Sequence, residues 1–391
     1  MKIPLKYSFR NLQSRKLTTA LTASGLALVV FVFAAVLMMA HGVEQTLVST
    51  GSEDNVLISR KASNGEISSI LDGETINIIL SMDQVARSAD GTPLATKDVA
   101  TVINLPKTGN ETALTNITVR GVSPQAFTLR PMVKIVEGRM FQWGAREVIV
   151  GSGIARQIKG ANIGSSLKFG GDTWTVVGRF DAGGCGFDSE IWGDGLQLTA
   201  VLDRPNVYST LTLRLKSPDQ FEEFKKAFAA DARLQQFEPK TERQFFEEQS
   251  ETMAAFIRYL GIFITVIFSL GAAIGAMITM YASVANRTVE IGTLRALGFR
   301  RRSVLGAYLV EALLLSLIGG VVGLGLASFL QFFTISTINF DSFAEIEFGF
   351  ALSPAIIFGS LTFALAMGFI GGFLPAVRAA RLNILSALRA S

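Results

Sequence analysis

Leu17-TTALTASGLALVVFVFAAVLMM-Ala40 runs for 24 residues without a charge. A helix needs about 20 apolar residues to cross the hydrocarbon core of a bilayer. The stretch is therefore a membrane span. Basic residues precede it, as they precede a signal peptide, but a signal's apolar region is only about 7–15 residues long. Three further runs also follow. Tyr259–Asn286 has 28 uncharged residues, Ser303–Phe340 has 38 with the single charge Glu311, and Phe348–Val377 has 30. The spans are placed at 17–40, 259–286, 303–330 and 348–377, with a short external loop at 331–347.

Composition agrees with this reading. Of 391 residues, 49% are hydrophobic and 17% charged, against about a quarter charged in soluble domains. One cysteine, Cys185, allows no internal disulfide and no multi-cysteine metal site, and one histidine, His41, makes histidine catalysis improbable. No G-x-x-x-x-G-K-[ST], H-E-x-x-H or G-x-S-x-G is present. Gly151-Ser152-Gly153 is a strand-to-helix turn, and Cys185, within Gly183-Gly184-Cys185-Gly186, is a small residue in a glycine-rich loop. No residue is assigned to catalysis, to a metal or to a cofactor.

Charge sets the orientation. Residues 1–16 (Lys2, Lys6, Arg10, Arg15, Lys16), 287–302 (Arg287, Arg295, Arg300, Arg301, Arg302) and 378–391 (Arg378, Arg381, Arg389) carry thirteen basic residues against one acid, Glu290. The 331–347 loop has Asp341, Glu345 and Glu347 and no base, and 41–258 has a net charge of −4. Positive loops stay in the cytoplasm. Both termini and 287–302 are expected inside, with 41–258 outside. The pI near 9.2 is thus a topology signal, and no nucleic-acid partner is implied.

The segment 41–258 reads as a folded α+β domain. Strand-like runs lie at Asn55–Ser59, Thr75–Leu80, Leu114–Val119, Glu147–Val150, Thr173–Val177 and Leu211–Leu215, rich in Val, Ile and Thr. Helical stretches lie at Gly153–Lys159 and Ser217–Leu234. A stalk helix near 241–258, with Phe245, Phe246, Met253 and Phe256 in helical spacing, is expected to continue into the second span. The expected architecture is an α-helical membrane protein of four transmembrane helices with an α+β periplasmic domain inserted between helices 1 and 2.

The loop after the second span reads Arg287-TVEIGTLRALGFRR-Arg302. Val289, Leu294 and Leu297 share a rough helical face, and Gly298 suits the residue after a helix end. Such a short amphipathic helix lies in the headgroups or docks into a partner; periodicity leaves both open.

Glu290-Ile-Gly-Thr-Leu-Arg-Ala-Leu-Gly298 resembles the E-I-G-x-L-R-A-L-G signature of the MacB/FtsX-type (type VII) ABC transporter permeases. Tyr7-Ser-Phe-Arg-Asn-Leu12, Glu311-Ala-Leu-Leu-Leu-Ser-Leu-Ile-Gly-Gly320, Pro375-Ala-Val-Arg-Ala-Ala-Arg-Leu382 and Ala387-Leu-Arg389 are similar to the family's entry segment, third span and C-terminal end. Glu147–Ala155 and Trp174–Gly178 match its external domain more loosely. The resemblance covers nearly the whole chain in one order. It implies one span, a large periplasmic domain and then three spans in the inner membrane, the topology read from charge. It also implies dimers of the permease, homo- or heteromeric, driven by ATP and magnesium bound on a separate ABC ATPase subunit, because this chain departs from the fused MacB arrangement. Glu290, Ile291, Leu294, Arg295, Leu297, Gly298 and Phe299 would form the coupling helix seated in that ATPase. A periplasmic adaptor and an outer-membrane channel are further implied partners.

Several residues keep more than one reading. Glu290 pairs with the ATPase or favours its own helix N-terminus. Glu311, about 12 Å along its helix from Ser303, makes a structural hydrogen bond or relays protons. Gly271-x-x-x-Gly275 and Gly319-x-x-x-Gly323 pack spans within one subunit or between two. Phe329, Phe332, Phe333, Phe340 and Phe343 form an interface belt, a dimer contact or an apolar receptor. Three functions compete: an ATP-driven subunit that exports or extracts substrate from the periplasm or outer leaflet, an FtsX-like mechanical regulator of a cell-wall hydrolase, and a membrane-anchored binding module without an ATPase. FtsX-like regulators carry a smaller external domain, so the length of 41–258 favours the first.

Overall fold

The computed structural model describes residues 16–63 and 65–384. The N-terminal motif around Tyr7 and the C-terminal Ala387–Arg389 lie outside them. The described residues form two compact units.

The membrane unit comprises residues up to His41, Ala255–Phe333, and Phe350 onward. Four helices are long and apolar enough to cross a membrane. They belong to α1 (Lys16–Val48), α7 (Glu242–Ala285), α9 (Arg301–Ser328) and α10 (Pro354–Arg381); α8 (Thr288–Ala296) joins the second to the third. Helix α10 starts where its signals are strongest. Pro354 occupies its first turn, and the Ser353 hydroxyl accepts a hydrogen bond from the Ile356 N–H at 3.4 Å. The charge-free run from Phe348 therefore exceeds its helix, and Phe348 and Gly349 belong to a strand.

The external unit comprises Gly42–Ala254 and Thr334–Gly349. Its strands are β1 (Asn55–Arg60), β2 (Leu71–Asp72), β3 (Ala95–Lys107), β4 (Asn110–Val122), β5 (Lys134–Gly138), β6 (Glu147–Gly151), β7 (Ser166–Phe169), β8 (Asp172–Asp181), β9 (Glu190–Asp194), β10 (Val207–Tyr208), β11 (Thr210–Arg214) and β12 (Phe237–Thr241). Its short helices are α2 (Gly73–Leu80), α3 (Ala126–Leu129), α4 (Ser152–Gln157), α5 (Gly195–Val201) and α6 (Phe221–Ala230). A mixed sheet runs in the order β12-β1-β11-β3-β4-β9-β6-β8-β5, with β7 on β8. The β4–β9 and β6–β8 pairs are parallel and the others antiparallel. Trp174, Val176, Ile191, Leu211, Phe224 and Phe228 are among its buried core residues.

Thr75–Leu80, expected as a strand, is helix α2. Asp72 accepts hydrogen bonds from the Thr75 N–H at 2.8 Å and the Thr75 hydroxyl at 2.9 Å. This cap fixes a first turn, and Ile76 and Ile79, three residues apart, are then buried on one face. The cap outweighs the β-propensity of Thr-Ile-Asn-Ile-Ile. The loop between the last two spans is also more than a loop. It contains β13 (Thr334–Ile338) and β14 (Glu345–Gly349), paired antiparallel.

Candidate functional site

Helix α8 has its ends and one side held. Arg287 precedes its first turn and is buried. Its Nε lies 3.3 Å from Glu290 Oε2, its Nη1 3.3 Å from Glu311 Oε2, and its guanidinium 5.9 Å from the Tyr308 ring centroid. Glu311, buried in the third span, is thus paired. A buried carboxylate needs such a partner, and removing one member of such a pair costs about 3–5 kcal/mol. The structural reading of Glu311 has an identified donor. At the far end, the Gly298 N–H bonds the Arg295 carbonyl at 3.1 Å and the Phe299 N–H bonds the Leu294 carbonyl at 3.2 Å. These two bonds form a Schellman termination. It requires the positive φ of +93° at Gly298, which a Cβ would strain. Arg295 Nη1 donates to the Ala380 carbonyl of α10 at 2.9 Å.

The buried face of α8 is carried by Ile291 and Gly292, not by the expected trio of Val289, Leu294 and Leu297. Ile291 belongs to a buried apolar cluster with Met280, Val304, Tyr308, Ala312 and Ala376. Leu297 is 67% and Val289 41% exposed, while Leu294 is half-buried and the Glu290 carboxylate is largely exposed. The candidate coupling residues therefore divide. Ile291, Arg295, Gly298 and Phe299 build and hold the helix; Glu290 and Leu297 present surface. Arg287, the buried hub of these contacts, had only its basic character to mark it in the sequence.

The glycine pairs also divide. A Cβ at Gly323 would lie 2.3 Å from the Ala27 carbonyl oxygen, and one at Gly319 2.9 Å from that of Ala23. This pair packs α9 against α1 within the subunit. A Cβ at Gly271 or Gly275 would meet nothing within 4 Å. Closer approaches, not anticipated from the sequence, occur at Gly261 against Val36 and at Gly368 against Ser316.

In the external unit, the start of α7 is wired into the sheet. Glu242, fully buried, accepts from Arg130 Nε at 3.0 Å, Asn55 Nδ2 at 2.9 Å and the Ser52 N–H at 3.1 Å. Arg130 also donates to Asp98 at 2.7 Å. Beside it, Arg120 joins Glu66 and Glu190, with contacts of 2.5–2.8 Å. Phe187 faces both guanidiniums, 5.2 Å from that of Arg120 and 5.0 Å from that of Arg130. Burial raises the Glu190 carboxyl above its ordinary range despite Arg120. Burial also acts against ionised Glu66, but the Arg120 charge and hydrogen bonds outweigh it and hold that carboxyl low. Cys185 is buried and its thiol is pushed up to about 12, chiefly by burial. At neutral pH it is therefore a protonated, unreactive thiol.

The β13–β14 hairpin is clasped onto this domain. Glu345 binds Lys107 Nζ at 2.6 Å and accepts from the hydroxyls of Thr115 and Ser336. Glu347 binds Arg156 at 2.8 Å and Gln157 at 2.9 Å, and its N–H donates to the Ser189 hydroxyl at 2.9 Å. Asn116 Nδ2 donates to the Phe343 carbonyl at 2.8 Å, and Asn339 Nδ2 to Gln249 of α7 at 3.3 Å. Phe340 and Phe343 remain 43% and 67% exposed, and Phe329, Phe332 and Phe333 of the membrane unit 61–83%.

Two family profiles match the chain: a MacB-like periplasmic core domain over residues 19–231 and an FtsX-like permease C-terminal region over 262–384. The macrolide export ATP-binding/permease protein MacB of Neisseria gonorrhoeae is 36% identical over 146 residues, 37% of this chain and 21% of that protein. The pyoverdine export ATP-binding/permease protein PvdT of Pseudomonas fluorescens Pf-5 is 35% identical over 152 residues, 39% of this chain and 22% of that protein. This chain thus spans about a fifth of the length of those two relatives. The uncharacterized ABC transporter permease YknZ of Bacillus subtilis is 28% identical over 292 residues, 70% of each. Among solved structures, the extracellular domain of a YknZ transporter from Gram-positive bacteria covers 48% of this chain and 99% of that domain, with TM-score 0.36 and 19% identity. The periplasmic region of MacB from Actinobacillus actinomycetemcomitans covers 54% and 94%, with TM-score 0.36 and 11% identity. With more than half of its length matched by the core-domain profile and its last three helices by the permease profile, the chain belongs to the MacB/FtsX-like family of ABC transporter permeases.

Proposed function

We propose that this chain is the non-catalytic membrane subunit of an ATP-driven export or extraction machine. Helix α8 seats in a separate ABC ATPase, which binds ATP and magnesium. A second permease copy completes the unit, and an adaptor and an outer-membrane channel extend it. Both termini and α8 lie in the cytoplasm, a reading supported by the basic residues on that side. The observation that carries the proposal is the division of α8. One face is locked to the third and fourth spans through Arg287–Glu311, Arg295 and Ile291, while Glu290 and Leu297 stand outward. A force on the outward face is then delivered to two spans at once. Helix α7, unbroken from Glu242 to Ala285, carries movement to the external domain, where Glu242 is its anchor. Substrate need not pass between the spans. The exporters named among the relatives, and an external unit as large as Gly42–Ala254, favour export over hydrolase regulation.

The test is affinity purification of Glu290→Lys and unmodified protein from native membranes. The unmodified chain is expected to bring down an ABC ATPase and an adaptor, and the variant to lose the ATPase while still inserting. Equal recovery and equal ATP turnover would overturn the seat assigned to α8. An ATPase accompanied by a cell-wall hydrolase would overturn export.

A further inference from the structure

The external domain contains a recess of about 480 Å³ that the transmission elements do not use. That volume falls within the roughly 300–1,000 Å³ of small-molecule sites. Its apolar surfaces come from Trp143, Leu196, Val122 and the ring of Tyr208. Trp143 is 43% and Leu196 66% exposed, whereas Trp174 and Trp192 are buried. A large indole and a leucine left open on one recess are costly in water.

The polar groups of the recess are unequal. Asp194 is buried, and its two oxygens are engaged by backbone donors, the Leu196 N–H at 2.9 Å and the Gly144 N–H at 2.6 Å. It ties the two walls together through those two bonds. Lys97 is the opposite case. Its Nζ stands 5.5 Å from the Tyr208 ring centroid. Among the described residues, no carboxylate lies within ion-pair distance of it. The recess thus combines apolar walls with one cation that lies at a ring face outside ion-pair distance of any carboxylate of the described residues.

We propose that this recess binds a small amphipathic anion. Its apolar ring or short chain sits between Trp143, Leu196 and Tyr208, and its carboxylate, sulfonate or phosphate meets Lys97. The proposal does not rest on α8 or on any ATPase, and its test is made without nucleotide.

The three tryptophans of the chain provide the readout. Fluorotryptophan-labelled full-length protein in lipid nanodiscs, titrated with naphthalenesulfonate and followed by fluorine NMR, should show a saturable shift of the Trp143 resonance alone. Trp143→Phe assigns that resonance. Lys97→Met should weaken naphthalenesulfonate about tenfold or more, the loss expected of one charge-assisted contact. It should leave the neutral naphthalenemethanol unchanged, with the Trp174 and Trp192 resonances reporting an intact fold. The absence of a Trp143 shift, equal shifts of all three resonances, or undiminished sulfonate binding by Lys97→Met would each overturn the proposal.

Discussion

At the scale of single residues, the chain uses buried arginine as a joint. Arg287 joins α8 to the third span, and Arg130 joins the start of α7 to the sheet. Arg130 Nη1 lies 2.7 Å from Asp98 and its Nε 3.0 Å from Glu242, with all three side chains fully buried. Replacing it by Met would leave buried Glu242 without its ion-pair partner and Asp98 with only Arg120, 3.5 Å away. The expected loss is about 3–5 kcal/mol, measurable as a lowered denaturant midpoint in detergent micelles. A loss below about 1 kcal/mol would mean that the carboxylates find other partners. Cys185 gives the opposite expectation. With its thiol pushed up to about 12, native protein should resist maleimide at neutral pH and react only on unfolding, and Cys185→Ser should keep any ATP turnover it supports. Native-state labelling would show the loop around Gly183–Gly186 to be open. None of these joints could be read from the sequence. The partners of Arg130 are 32 and 112 residues away, and a charge pattern along a chain does not say which charges meet inside it.

At the scale of elements, what was legible depended on whether the signal was local. The four spans and the inserted domain follow from uncharged runs and loop charge, which need no knowledge of contacts. The Schellman end at Gly298 has a local signal as well. The β13–β14 hairpin also had one, since Thr334-Ile-Ser-Thr-Ile338 is mostly β-branched and Glu345-Ile-Glu-Phe348 alternates on the other side of the turn Asn339–Ala344. It was masked because the flanking apolar runs absorbed its ends. The strand expected at Thr75–Leu80 gives way to a helix because the Asp72 cap outweighs the β-propensity of the stretch. Two element-scale predictions follow from the packing. Gly323→Leu needs side-chain volume where the Ala27 carbonyl lies, so it should separate α9 from α1 and lower the yield of folded protein. Gly271→Leu, on an open face, should not. Equal yields would show α1 to be displaceable. The hairpin clasp should also depend on acid. Burial alone would raise the Glu345 carboxyl, but hydrogen bonds from Lys107, Ser336 and Thr115 outweigh it and hold the group below its ordinary 4.5. A depressed carboxyl stabilises the fold above that value and loses its contribution as pH falls through the lowered one. Amide exchange in 334–349, corrected for its intrinsic pH dependence, should therefore lose protection only below the ordinary carboxyl range. Protection that does not fall on acidification would mean that the hairpin's other contacts, among them the Asn116–Phe343 and Asn339–Gln249 bonds, hold it without the Glu345 charge.

At the scale of the whole molecule, the chain passes from the external unit to the membrane unit between Ala254 and Ala255, inside an uninterrupted helix. With 44 residues, that helix is about 66 Å long, roughly twice the hydrocarbon thickness of a bilayer. An α-helix resists bending and twisting because each turn is bonded to the next, so a displacement imposed at one end is delivered at the other. Glycine removes that stiffness at about 1 kcal/mol per residue relative to alanine. If the chain works as proposed, three glycines inserted after Ala254 should therefore leave insertion, dimer formation and ATPase association intact, since α8 and its contacts are untouched. On the same proposal, they should abolish a nucleotide-dependent movement of the external domains. The single native cysteine is buried, so a spin label at Glu222→Cys, on the exposed side of α6, reports that movement as a change in label-to-label distance within the dimer. An ATP-dependent change that survives the insertion in full would show that α1, which enters the external unit at Gly42 within its own unbroken helix, or the clasped hairpin carries the motion, and the rigid-lever role given to α7 would fall.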